Sequence, residues 1–569
     1  MPHTSGVRGK EACLDTATDV LGREFWAWRA NEQPRSMDDI PRITRPAGWL
    51  PRWSRSDVEG YRVDLAGFAG RLQDLAPTAD RAEMVDRRLI GSACARVRWE
   101  LDVLRGWQAN PAFYTDQAIG VVFDLLLVPE PDEARIARVV ELLEHAPRVL
   151  ADARVNLAGS AVAEFGRAAV EQLAGIETQV NVAMTALAAR AGQELAARLT
   201  AAAAAAASAL GEFRDWVAGS VASWRPTEPV GRDVLQWFLT EVALLPLTPE
   251  EILASGLVEL DRAIALELLE QNRNRVGGAR EPVRQRDPAA QSAAEQVAEL
   301  AVRRFYVERR ILGQPDTLGR YRNLPLPDYL APLRWLGVTD DLTGPERVAE
   351  DGVSYVPGFS GEVPYFYAAN ARDPRAGIVH EGAHYQQLAM SWRHPQPLRR
   401  HYYDSSANEG IAFYNEELML ASGLFDDAPG TREVMYNFMR LRALRVEVDV
   451  RLALGELDIA AAASYLQRAV PMDGQTAGEE AAFFAAAPGL ALAYQVGKLE
   501  ILRFLADCVR GEGDGFDLQR FHDRLWREGN VPISLQRWEL LDDDGDLRRV
   551  AELARPLPSS RACTDRPED

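Results

Sequence analysis

His380-Glu381-Gly382-Ala383-His384 is an HExxH string inside IVHEGAHYQQ. In an α-helix, residues four apart share a face, so both imidazoles can turn to one ion. Glu381 follows the first histidine and is the residue type that takes a proton from a water on such an ion. Zn2+ held by two neutral nitrogens and one further protein ligand keeps a fourth position for water, whose pKa falls to about 7. The expected chemistry is hydrolysis of a carbonyl compound by zinc-activated water. The chain has only seven histidines in 569 residues. At that frequency HExxH arises by chance about 0.006 times per chain, so the string is informative.

A third ligand must come from another element, and Glu409 is the candidate. It stands 25 residues after His384 in SSANEGIAFYNEELMLASGLF. That stretch reads as a helix capped by Ser405 or Ser406 and ending near Gly423. The gap lets a loop with Pro395 and Pro397 turn the chain so that the second helix returns antiparallel. His394 and His401 lie in that loop and are the alternatives. Their spacing misses the HExxHxxGxxH pattern, and Gln387 stands where that pattern has glycine. Glu416, two turns after Glu409, is a candidate partner for a ligand or for substrate, or else a solvated helix glutamate. Asp404 is a candidate for orienting one histidine through its free ring N–H. Gln386 falls where an apolar residue is more usual.

The elements that must hold these residues read as all-α. Helical periodicity runs through Asp57–Gln108 and Asp132–Gly175. The alanine-rich Thr178–Val217 reads as one long helix. Thr248 and Glu251 form a capping box opening the next one, and a further helix is expected over Ala289–Leu312. Prolines 34, 41, 46 and 51 mark a loop, and Arg273–Arg286 reads as an exposed joint. Between Gly313 and Pro374 the helical pattern fades. GVSYVPGFSGEVPYFYAAN (Gly352–Asn370) reads as two short extended runs, a small hairpin or edge strand before the metal helix. Two regions follow: 1–230, an N-terminal helical region, and 231–569, a catalytic helical region. The tail from Pro556 is polar.

Composition narrows the function further. Hydrophobic residues make up 47% and charged residues 26%, with a formal charge of −20. Such a chain lacks the basic face that nucleic-acid phosphates require. It carries no apolar run of about 18 residues for a membrane span and no apolar segment near its start. Cys13, Cys94, Cys508 and Cys563 are scattered, which fits a reduced, cytoplasmic protein. Lys10 and Lys498 are the only lysines.

Four motifs occur in order: HEGAHYQQ, NEGIAFYNEELML, PGLALAYQVGKLEIL (Pro488–Leu502) and FHDRLWREGNVPISLQ (Phe521–Gln536). Together with YFYAANARD (Tyr365–Asp373) and the FWAWR opening (Phe25–Arg29), they resemble the bacterial domain-of-unknown-function 885 family. That family is in turn similar to the Taq-type zinc carboxypeptidases, which are gluzincins. The family's longer metal string, HE followed by PGHH, is plain HExxH here. The resemblance implies a mostly helical gluzincin-like fold with a deep groove, and it places the family's metal glutamate on Glu409. It also places the tyrosine of its PG-x-A-x-x-Y motif, Tyr494, near the metal, where a phenol would serve the oxyanion. Tyr402, Tyr403 and His522 are the other candidates for that task. Lys498, one turn beyond Tyr494, could receive a substrate carboxylate. The function expected is a zinc metallopeptidase of carboxypeptidase type acting on short peptides. A zinc hydrolase of a non-peptide amide or ester, and a non-catalytic helical scaffold, are the alternatives.

Overall fold

Helix signals in the first 230 residues are local and strong. Ser54 and Asp57 form a reciprocal capping box at Arg55–Gln73, and Asp80 caps Arg81–Arg98. The alanine-rich stretch, expected as one helix, is two: Ile176–Ala188 and Gln193–Ser220. Gly192, in extended backbone, opens the second. Its buried Ala202, Ala203, Ala206 and Ala207 carry so little side chain that Glu133–Leu157 packs closely along it. The largest apolar cluster runs from Leu21 to Val217 and also takes in Tyr329, Val353, Tyr402 and Leu535.

The computed structural model describes residues 16–32, 43–277, 287–358 and 363–557. Pro34, Pro41, most of the joint at Arg273–Arg286 and the tail beyond 557 lie outside the described residues. So do Lys10, Cys13 and Cys563. The all-α expectation holds, with one three-stranded sheet among the described helices. The strands are β1 (Tyr321–Pro325), β2 (Asp340–Asp341) and β3 (Gly352–Val356), in the order β1-β3-β2. β1 runs parallel to β3 with Tyr321 opposite Gly352, and β2 runs antiparallel with Asp340 opposite Ser354.

The strand expected over Gly352–Asn370 is therefore half correct. β3 exists, but it is the central strand and not an edge. The second run is a helix, Tyr365–Arg372. Its aromatic residues read as strand formers, yet Tyr365 and Phe366 bury against Phe438, with ring centroids 5.7 and 5.6 Å away. Tertiary packing overrides the local preference.

Four helices carry the C-terminal chemistry: Pro249–Gly277, Arg375–Ser391, Ser405–Ala421 and Ala493–Glu512. The first opens on the expected box: Thr248 N donates to Glu251 Oε2 at 2.8 Å, and Glu251 N to Thr248 Oγ1 at 3.2 Å. It lies along Pro429–Leu454. Ser405–Ala421 is capped by Asp404, not by a serine: its carboxylate accepts from Ala407 N at 3.0 Å. An ionised acceptor makes the stronger cap. Asp404 also stands 3.5 Å from Arg96 and bonds neither His380 nor His384. Ser405–Ala421 crosses Ala493–Glu512 at two glycines. A Cβ on Gly497 would lie 1.8 Å from Ser406 O and 2.8 Å from Gly410 Cα. Backbone touches backbone here, which only paired glycines permit.

Arg399 ties the N-terminal helices to the C-terminal ones. Its Nε donates to Asp86 at 2.8 Å, and its two Nη atoms to Glu539 and Glu528 at 2.8 and 3.2 Å. All four are buried or nearly so, so the ions stand out of water and depend on one another.

Candidate metal centre

The Arg375–Ser391 helix is buried on nearly every face. Two of its glutamines are held from outside the helix: Gln387 Nε2 donates to Gly529 O and Asn530 Oδ1 at 2.8 and 3.0 Å, and Gln386 accepts from Gln314 at 3.1 Å. That is how Gln386 occupies a position where an apolar residue is more usual. One turn apart, His380 and His384 face the Ser405–Ala421 helix. Asn415 fixes the two helices together: its Nδ2 donates to Val379 O and to the Tyr306 hydroxyl, both at 2.7 Å.

Across that contact, Glu409 Oε2 lies 3.6 Å from His380 Nε2 and 3.4 Å from His384 Nε2. The three ligand atoms all fall within 4.8 Å of one another. Glu409 Oε2 is buried with no hydrogen-bond partner, and so is His384 Nδ1. Two imidazole nitrogens and one carboxylate oxygen converging on a single point are a donor set suited to Zn2+. The electrostatics agree. Burial alone would lower the His380 imidazole, yet the neighbouring carboxylates of Glu409 and Glu416 hold it up at about 9. Burial alone would raise the Glu409 carboxyl, yet His384 and His380 hold it well below the usual carboxylate range. Both shifts say that positive charge is favoured between these groups.

Glu416, fully buried, explains how His380 is aimed. Its Oε1 accepts from His380 Nδ1 at 2.7 Å and from Arg442 Nη2 at 2.9 Å. With Nδ1–H donating, Nε2 presents its lone pair to the Glu409 side. Arg442 is itself buried, 4.9 Å above the Phe438 ring. Arg442 was not legible from the sequence. It is one of several arginines in MRLRALRVEVDVRLAL, and nothing local marks the one that reaches Glu416.

Tyr494 comes to the site as expected. Its ring stacks on His380, centroids 6.1 Å apart and planes 13° off parallel. Burial and the Glu409 charge push its phenol above the ordinary value, so it keeps its proton and can donate. Its helix is set by Asp449, which accepts from Gly489 N and Leu492 N, both at 3.0 Å, at the turn of the PG-x-A-x-x-Y motif. Burial pushes the Asp449 carboxyl up to about 7 against those bonds.

Other candidates are elsewhere. His394 pairs with Glu528 at 3.2 Å, and His401 packs near Trp26, rings 5.9 Å apart. His522 is fully buried. Its Nδ1 donates to Ile311 O and its Nε2 accepts from Tyr414, both at 2.8 Å, and burial brings the ring down to about 4. Tyr402 bonds Ser92 at 2.5 Å, and Tyr403 lies under Arg96. Lys498 is 1% exposed and pairs with Glu259 and Glu417 at 2.9 and 2.8 Å, so it is a structural cation.

His380, Glu381, His384, Glu409 and Tyr494 all line one cavity of about 2170 Å³. It runs between the N-terminal helices and the C-terminal ones, bordered by Phe123 and Phe165 on one side and Phe438 and Phe483 on the other. Its volume exceeds the roughly 300–1,000 Å³ of ordinary small-molecule sites and leaves room for an extended ligand.

The model of the family described as "Bacterial protein of unknown function (DUF885)" matches residues 44–324 and 343–540. The chain belongs to that family. This DUF885 chain is similar in fold to two solved structures, each 16% identical. One is a "putative lipoprotein of unknown function" from Shewanella oneidensis, covering 92% of this chain and 99% of its own, with a TM-score of 0.68. The other is a "putative lipoprotein" from Colwellia psychrerythraea, covering 94% and 97%, with a TM-score of 0.65. No curated protein matches the chain. Among the described residues, no helix is long and apolar enough to cross a membrane.

Proposed function

We propose that this DUF885 protein is a zinc-dependent hydrolase of short peptides, with His380, His384 and Glu409 holding the ion. The observation that carries this is the partnerless Glu409 Oε2 facing both Nε2 atoms on the wall of a peptide-sized cavity. Held by these three residues, Zn2+ would supply a water of lowered pKa and a Lewis acid for the substrate carbonyl. Glu381, beside His380 and open to the cavity, accepts the proton of the attacking water and passes it to the leaving amine. The Tyr494 hydroxyl donates to the oxyanion as the carbonyl carbon becomes tetrahedral. Glu416 and Arg442 hold His380 in one tautomer and orientation throughout.

The similarity of the DUF885 family to the Taq-type zinc carboxypeptidases favours peptides over other carbonyl compounds in this reading. A non-peptide amide or ester is the second reading, supported by the same donor set, and a screen of peptides beside acylated small molecules separates the two. Glu381→Gln tests the hydrolase itself. It is expected to retain zinc and to lose at least about a hundredfold in kcat, the scale of general-base catalysis. Equal turnover by both proteins would sink the proposal.

A further inference from the structure

The cavity is unevenly charged. Among the described residues lining it, twelve are carboxylates and only three are arginines. The excess reaches the proposed catalytic residues. Asp340 of β2 lines the cavity, with Val338 and Leu342 on either side of that strand. The Asp340 side chain stands on that wall, half-buried. Its Oδ2 accepts from the Tyr321 hydroxyl at 2.9 Å, a neutral donor. Neither Asp340 nor Glu381 makes an ion pair with an arginine or lysine among the described residues. Burial and the nearby Glu381 carboxylate push the Asp340 carboxyl above its ordinary value. A buried carboxylate without a counter-charge is costly, and a cation docking beside it removes the cost. His384 lines the same cavity, so Asp340 and the proposed metal ligands border one space.

We propose that the cavity selects substrates carrying a protonated amine close to the scissile bond, and that Asp340 receives this ammonium group. The inference rests on the hydrolase reading above and adds to it the substrate class. Asp340 and Glu381 then divide the work: one holds the cation while the other serves the carbonyl a few bonds away. The amine is either the free amino terminus of a short peptide or a lysine side chain. Lys498, the one described lysine that a substrate carboxylate could have sought, is neutralised outside the cavity.

The test uses the zinc-loaded protein and matched short peptides: free or acetylated at the amino terminus, with lysine or norleucine at each position in turn. kcat/KM is expected to be about tenfold to a hundredfold higher with the ammonium present, the worth of a charge-assisted hydrogen bond. That ratio is expected to fall to near one in Asp340→Asn, where the amide oxygen still accepts from Tyr321. Which substitution costs the rate tells terminal amine from lysine. Calorimetric binding of the same peptides to Glu381→Gln separates the two claims. A binding preference without turnover upholds this inference and removes peptide hydrolysis. Should Asp340→Asn fail to fold, the wild-type preference must still shrink as salt rises. Equal affinity for charged and acetylated peptides, a preference indifferent to salt, or one that survives in Asp340→Asn overturns the inference.

Discussion

Glu416 shows how much one residue's meaning depends on where its helix sits. In the sequence it reads equally as a solvated glutamate and as a partner of the site. In the structure it is wholly buried between His380 and Arg442. Its charge stabilises the Nδ1–H form of His380 and offsets the Arg442 guanidinium, so neutralising it disturbs both. Glu416→Gln is expected to weaken Zn2+ affinity by about tenfold to a hundredfold, the usual effect of removing a ligand's outer partner. Competition against a chelator of known affinity measures it. Unchanged affinity would mean that packing alone aims His380. The residue-level signals the sequence did carry by spacing were HExxH and the position of Glu409, while Tyr494 was marked only by the resemblance of its motif to the family's. Arg442, Asn415 and Asp340 carry no such signal, because each acts across a contact between segments far apart in the chain.

At the scale of elements, the site is assembled by a helix crossing. Glu409 and Gly410 are adjacent on one helix, while Tyr494 and Gly497 lie a turn apart on the other. The backbone contact at Gly410 and Gly497 therefore sets how near Tyr494 stands to the metal ligands. Gly497→Ala brings two opposed effects. Alanine gains about 1 kcal/mol of helix propensity over glycine. Its Cβ, 1.8 Å from Ser406 O, forces the two backbones apart, and overpacking costs about 1–3 kcal/mol or more when no side chain can rotate away. The clash wins. Gly497→Ala is expected to be destabilised in urea unfolding and to bind zinc more weakly, because Glu409 moves with its helix. A variant as stable as wild type would show that the helices do not meet as described. Helices and caps were mostly legible in the sequence, since periodicity and capping are local. The break between Ala188 and Gln193 was not, because alanine favours helix on either side. Nor was the helix at Tyr365, whose aromatic residues suit a strand until Phe438 is brought to them.

At the scale of the whole molecule, the N-terminal helices form one wall of the cavity and not a separate appendage. Phe123, Phe165 and Gln179 line it, and Arg399 locks Asp86 of these helices to Glu528 and Glu539 near the C-terminus. The two solved structures share this architecture over at least nine-tenths of the chain at 16% identity. An arrangement that persists when most side chains differ is one carried by pattern and packing more than by particular residues. The net charge of −20 was plain in the sequence, but its concentration around the cavity was not, because the twelve carboxylates come from segments spread between Asp116 and Glu479. What would unite the residue, the helix crossing and the cavity is the proposed single divalent ion at His380, His384 and Glu409. Elemental analysis of the purified wild-type protein beside His384→Ala tests that claim most directly. About one zinc per chain in the wild type and little in the variant is the predicted result. No metal in either protein, even after zinc is supplied, would contradict it.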